Sequence, residues 1–74
     1  MLPHVTPAEA ALLDLAGRHY RYEANREAAV WDELGLTLMA FWQSVNALLD
    51  TERALAHDAV LVRRLQRRRA AMMR

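Results

Sequence analysis

The sequence has no cysteine and no lysine, a single serine, and only two glycines and two prolines in 74 residues. Without cysteine the chain can form neither a disulfide nor a thiolate metal site. That absence fits a reducing compartment, and the cytoplasm is the expected location. Nucleophilic catalysis needs an activated Ser, Cys or Thr beside a base. Ser44 is the only serine, and no glycine-rich loop is present to cradle phosphate, so neither an enzyme nor a cofactor-binding protein is expected. No apolar run approaches the roughly eighteen residues that a membrane span requires. The start, Met1-Leu2-Pro3-His4, carries no apolar signal core. A soluble protein without a membrane partner is therefore expected.

What is present is alanine, leucine and arginine. With so few helix breakers, that composition favours helix over sheet. The length suits one small domain, residues 1–74. A chain of this size buries only roughly 60% of the surface it exposes when unfolded, which leaves helix packing and a partner subunit as its supports. The net charge of +1 conceals an asymmetry. Residues 1–37 hold three arginines against six acids, and residues 38–74 hold seven against three. All ten basic residues are arginine, so every cation is a planar fork suited to phosphate or carboxylate.

Thr6-Pro7-Ala8-Glu9 reads as a capping box with proline at the first helical position. The helix it opens is expected to run from about Pro7 to Tyr22 or Ala24, with Leu12, Leu13, Leu15, Ala16 and Tyr20 on its apolar face. Asn25 is a candidate cap for a second helix, whose apolar side is Val30, Trp31 and Leu34. Gly35 stops it and Thr37 caps a third helix, about Leu38 to Leu49. Thr51 to His57 has room for a short helical turn. Asp58 then caps a last helix, about 59–72, with Leu61, Leu65 and Met72 as its stripe. Met73 and Arg74 are expected to fray.

The fold expected is all-α, a small four-helix bundle containing a helix-turn-helix-like pair at about 26–49. Its core draws on Leu12, Leu13, Ala16, Tyr20, Val30, Leu34, Phe41, Val45, Leu48, Leu49, Leu61 and Leu65, bordered by Trp31 and Trp42. Such a small core invites a homodimer, formed through aromatic surface or the last helix.

Three constellations carry candidate chemistry. His19 and Glu23 stand one helical turn apart, and His57-Asp58 could join them, but no HExxH-type arrangement exists. His19 also falls on the apolar face of the first helix, where a satisfied core histidine is the simpler reading, so no metal site is expected. The segment Leu34-Gly35-Leu36-Thr37 between two helices has helix-turn-helix lengths. An ordinary helical hairpin in a bundle would look the same, and Trp31 stands where that motif usually has a small residue. With its apolar stripe inward, the third helix presents Met39, Gln43 and Asn46, and Gln and Asn can pair with adenine edges. No arginine lies on that face. The arginines concentrate instead in residues 59–74, which hold six of them and no acid. Arg63, Arg64, Arg67 and Arg74 share one ridge, with Arg68 and Arg69 flanking the apolar stripe. Such a ridge can be a solvated helix end suited to the macrodipole, a phosphate contact, or a surface for an acidic protein. The stripe lacks the aromatics that anchor a surface helix to lipid.

The chain resembles a small actinobacterial and actinophage family catalogued as a domain of unknown function. The residues that carry the resemblance are Val5-Thr6-Pro7-Ala8-Glu9, Glu27-Ala28-Ala29, Leu34-Gly35-Leu36-Thr37, Phe41-Trp42-Gln43, Asn46-Ala47-Leu48-Leu49-Asp50 and Asp58 through Leu65. It covers nearly the whole chain and implies a helical, helix-turn-helix-like domain. Similar sequences often have arginine just before the aromatic pair, where this one has Ala40. The function expected is a small DNA-binding protein, in the manner of a transcriptional regulator. Double-stranded DNA would be the partner, with Met39, Gln43 and Asn46 toward bases and Thr37, Arg63, Arg64, Arg67 and Arg68 toward phosphates. The alternative is an adaptor that docks on an acidic protein partner and has no nucleic-acid function.

Overall fold

The computed structural model describes residues 4–72, and Arg74 of the arginine ridge lies outside them, as do Met73 and the first three residues. The described chain is all-helical. It has five helices rather than four: α1 (Pro7–Gly17), α2 (Glu23–Leu34), α3 (Leu38–Leu49), α4 (Glu52–His57) and α5 (Ala59–Met72). The additional helix is the short turn after Thr51, whose hydroxyl accepts from the Ala54 amide and starts it as a separate element.

Local chemistry sets most of the boundaries. Thr6 and Glu9 form the reciprocal capping box, each side chain taking the other's backbone N–H at 3.1 and 3.0 Å. Gly35 closes α2 in the left-handed conformation at φ 66°, a region that L side chains adopt only at a cost. The Thr37 hydroxyl accepts from the Ala40 amide and opens α3. Asp58 accepts from the Leu61 amide and opens α5.

Two boundaries differ from expectation. α1 ends at Gly17, five residues short of Tyr22, and Arg18 is extended at φ −68°, ψ 143°. The cause is tertiary. A Cβ on Gly17 would stand 2.7 Å from Leu61 Cδ1, so α5 crosses closely there. The carbonyls that end the helix are taken by arginines from elsewhere: Arg26 donates to Leu15 and Arg18, and Arg64 donates to Gly17. α2 then starts at Glu23, with Tyr22 rather than Asn25 at its N-cap.

α3 is the centre of the packing. It contacts every other helix, and α5 closes the bundle against α1, α3 and α4. Phe41, Val45, Leu48 and Leu49 meet Leu13, Leu15, Ala16, Val30, Ala54, Val62 and Leu65 in one core. Leu12, Leu34 and Leu61 pack at its edge, whereas Trp31, expected at the border, is 61% exposed. On α5 the buried positions are Val62 and Leu65, and Met72 is exposed. The inward face is thus turned by about one residue from the Leu61–Leu65–Met72 stripe.

Candidate nucleic-acid interface

α2 and α3 are two twelve-residue helices joined by Gly35, Leu36 and Thr37. With α3 buried through Phe41, Val45 and Leu48, the residues a third of a turn and more away face outward. Met39, Gln43 and Asn46 are all exposed, in one line along the helix. Thr37 sits at the head of that line, its hydroxyl oxygen already committed to the cap. No helix among the described residues is long and apolar enough to cross a membrane.

The arginines of α5 divide into two sides. Arg63 and Arg67 are exposed and make no hydrogen bond or ion pair among the described residues. Arg64 and Arg68, one turn apart on the other side, lean toward the body. Arg64 reaches the Gly17 carbonyl at 3.3 Å, and Arg68 lines a groove of about 920 Å³. Asn46 lines the same groove. The structure therefore brings together one amide of the α3 face and two arginines of α5, Arg68 and Arg69, with Glu23 of α2 on the same wall. Met39, Gln43, Arg63 and Arg67 are not among the residues lining it. The rest of the wall is largely apolar, including Trp42, Leu49, Leu65 and Met72.

Arg69, which flanked the stripe in sequence, is spent on structure. It pairs with Asp50 at 2.9 Å and donates to the Asn46 carbonyl, which ties the end of α3 to α5. That guanidinium holds the Asp50 carboxyl below its ordinary range. The same pairing offsets the negative charge of Asp50 at the end of α3, which would otherwise repel phosphate. Arg53 binds Glu9 across helices at 2.6 Å and, together with the Thr6 amide, lowers its pKa from the ordinary 4.5 to about 2. Arg18 bridges Asp14 and Glu33, and the hydrogen bonds it donates to Glu33, Tyr20 and Asp14 raise its already high pKa further.

Comparison with known proteins places the chain. A family model described as a protein of unknown function, DUF3263, matches residues 4–74. The chain belongs to the DUF3263 family. No curated protein and no solved structure matches it. The weight in this DUF3263 chain therefore falls on its own geometry.

One buried residue and one exposed residue of the chain depart from what the sequence suggests. Arg26 is 4% exposed, donates to Leu15, Arg18 and Glu23, and lies over the rings of Tyr20 and Trp42 at 5.1 and 5.5 Å. Its position four before Val30 puts it in the buried phase of α2, which was the available signal. His19 is exposed in the linker after α1 and is no core histidine. No group of three metal-capable side chains occurs among the described residues.

Proposed function

We propose that this DUF3263 protein binds double-stranded DNA, with α2 and α3 acting as a helix-turn-helix and α5 as the phosphate clamp, in the manner of a small cytoplasmic transcriptional regulator. One observation carries the reading: Asn46 of the outward α3 line and Arg68 of α5 line one groove, so an amide able to read bases stands beside a cation able to hold phosphate. The unpaired Arg63 and Arg67 extend the cationic surface, and Arg64 has guanidinium nitrogens beyond its bond to Gly17. Met39 and Gln43 continue the α3 line toward its N-terminus, where Thr37 and the helix dipole favour a phosphate. Ala40, where similar sequences often have arginine, leaves the larger share of affinity to α5.

Binding through three to five phosphates makes log K fall with log salt at a slope of about −3 to −5. Fluorescence anisotropy of a labelled duplex across salt measures it. Reversing Arg63 and Arg67 to Glu abolishes binding to every duplex. Gln43→Ala changes preference between sequences, by roughly 1–3 kcal/mol at one base pair, with little change in the salt slope. Binding no tighter than an arginine peptide of equal charge, without sequence preference, would remove the regulator reading.

A second reading is favoured by the apolar wall of the groove: an adaptor that takes an acidic protein partner there. Capture from a nuclease-treated lysate separates the two, since partners held through nucleic acid disappear with the nuclease.

A further inference from the structure

The groove beside Asn46 has an apolar wall and one unpaired cation, and a face of the same chain matches it. Trp42, Leu49, Leu65 and Met72 form the apolar wall; Glu23 and Arg69 also line it but are paired, with Arg26 and Asp50, whereas Arg68 is exposed and enters no ion pair among the described residues. A space of about 920 Å³ exceeds what one aromatic side chain fills. On α2, Trp31 is 61% exposed, the larger exposure of the chain's two tryptophans. Glu27 lies one turn before it, and Ala24 and Ala28 flank it with small side chains that permit close approach. All three neighbours are exposed. Two of the four acids of α2 are spent: Glu23 pairs with Arg26, and Glu33 with Arg18. Glu27 and Asp32 enter no ion pair among the described residues. The surface thus offers a bulky aromatic anchor beside an unpaired acid, and a groove of apolar wall beside an unpaired cation.

We propose that the chain associates with itself, the Trp31 face of one copy docking in the groove of the next with Glu27 against Arg68. An aromatic anchor in an apolar pocket with a charge pair at its rim is the usual anatomy of an interface centre. The two surfaces are different patches, so the contact is heterologous: each copy has one anchor and one groove, and assembly continues past two copies unless the rotation closes a ring. This goes beyond DNA binding and stands without it.

Sedimentation velocity over a concentration series tests the contact. The parent chain shows a mean mass that rises above the 8.5 kDa of one copy. Trp31→Ala remains at one copy throughout. Glu27→Arg and Arg68→Glu each remain at one copy when alone. Mixed in equal amounts they associate again, because each then meets a complementary charge at both of its surfaces. All three side chains are exposed, so helical circular dichroism stays unchanged. A parent that stays at one copy up to its solubility limit overturns the proposal. So does a mixture that stays at one copy, or association that survives Trp31→Ala. None of these results bears on the salt slope of DNA binding, so the two readings fail separately.

Discussion

At the scale of single residues, Arg26 is the most consequential side chain of the interior. A buried guanidinium is costly unless its donors are satisfied, and here the fork reaches two carbonyls at the end of α1 and the Glu23 carboxylate, with an aromatic ring at 5.1 Å and another at 5.5 Å. Arg26→Ala leaves the carbonyls of Leu15 and Arg18 without their partner and opens space beneath Trp42. Each orphaned acceptor costs roughly 1–3 kcal/mol, so a total of about 2–6 kcal/mol is expected, measured by urea unfolding. Arg26→Lys recovers only part of it, because a point charge cannot serve both carbonyls and the carboxylate from one plane. Equal stability of Lys and Arg at this position would show that charge alone matters there. Gly35 makes a smaller demand. Nothing lies within 4 Å of a Cβ placed on it, so Gly35→Ala meets only the strain of φ 66°, about 1–2 kcal/mol.

At the scale of elements, ties between helices decide how the bundle responds to acid. Glu9 closes the capping box of α1 and binds Arg53 of α4, and its pKa stands at about 2 instead of 4.5. A depressed carboxylate contributes stability that is complete above the unfolded pKa and is lost as pH falls through the folded one. The bundle therefore loses stability between about pH 4.5 and pH 2 as Glu9 is protonated, and Asp50, held low by Arg69, loses its contribution in the same direction. Glu9→Gln lowers the melting temperature at neutral pH, and the difference from the parent shrinks steeply as pH falls toward about 2. A difference that stayed undiminished there would assign the effect to packing rather than charge. The same contrast between local and distant causes explains what could be read in the sequence. The starts of α1, α3 and α5 and the stop of α2 were legible because Thr6, Thr37, Asp58 and Gly35 meet their demands within three or four residues. The end of α1 was not, since Arg26 and Arg64 impose it from α2 and α5. The outward line Met39–Gln43–Asn46 was legible from the period of α3. The division of the α5 arginines was not, because an inward face centred on Val62 rather than Leu61 turns Arg68 toward the groove and Arg69 onto Asp50.

At the scale of the whole molecule, pairing leaves a polarity that the net charge of +1 hides. Of the acids on α2, Glu27 and Asp32 enter no ion pair among the described residues, and of the arginines on α5, Arg63, Arg64, Arg67 and Arg68 enter none. DNA would approach the basic side, and the proposed self-association joins that side to the acidic one. Both uses require Arg68 and the groove that Asn46 also lines. They therefore compete, and linkage makes the competition reciprocal: whatever DNA loses to self-association, self-association loses to DNA by the same factor. Trp31→Ala, which removes the anchor and leaves Gln43, Asn46 and every arginine in place, should bind a duplex more tightly than the parent at high protein concentration and equally at low concentration. Anisotropy titrations at two fixed duplex concentrations measure this, and sedimentation of the parent with excess duplex should show the larger species disappearing. Weaker DNA binding by Trp31→Ala would reverse the conclusion. Self-association would then build the DNA-binding unit, as paired helix-turn-helix subunits do on adjacent half-sites, and the groove would serve assembly rather than DNA.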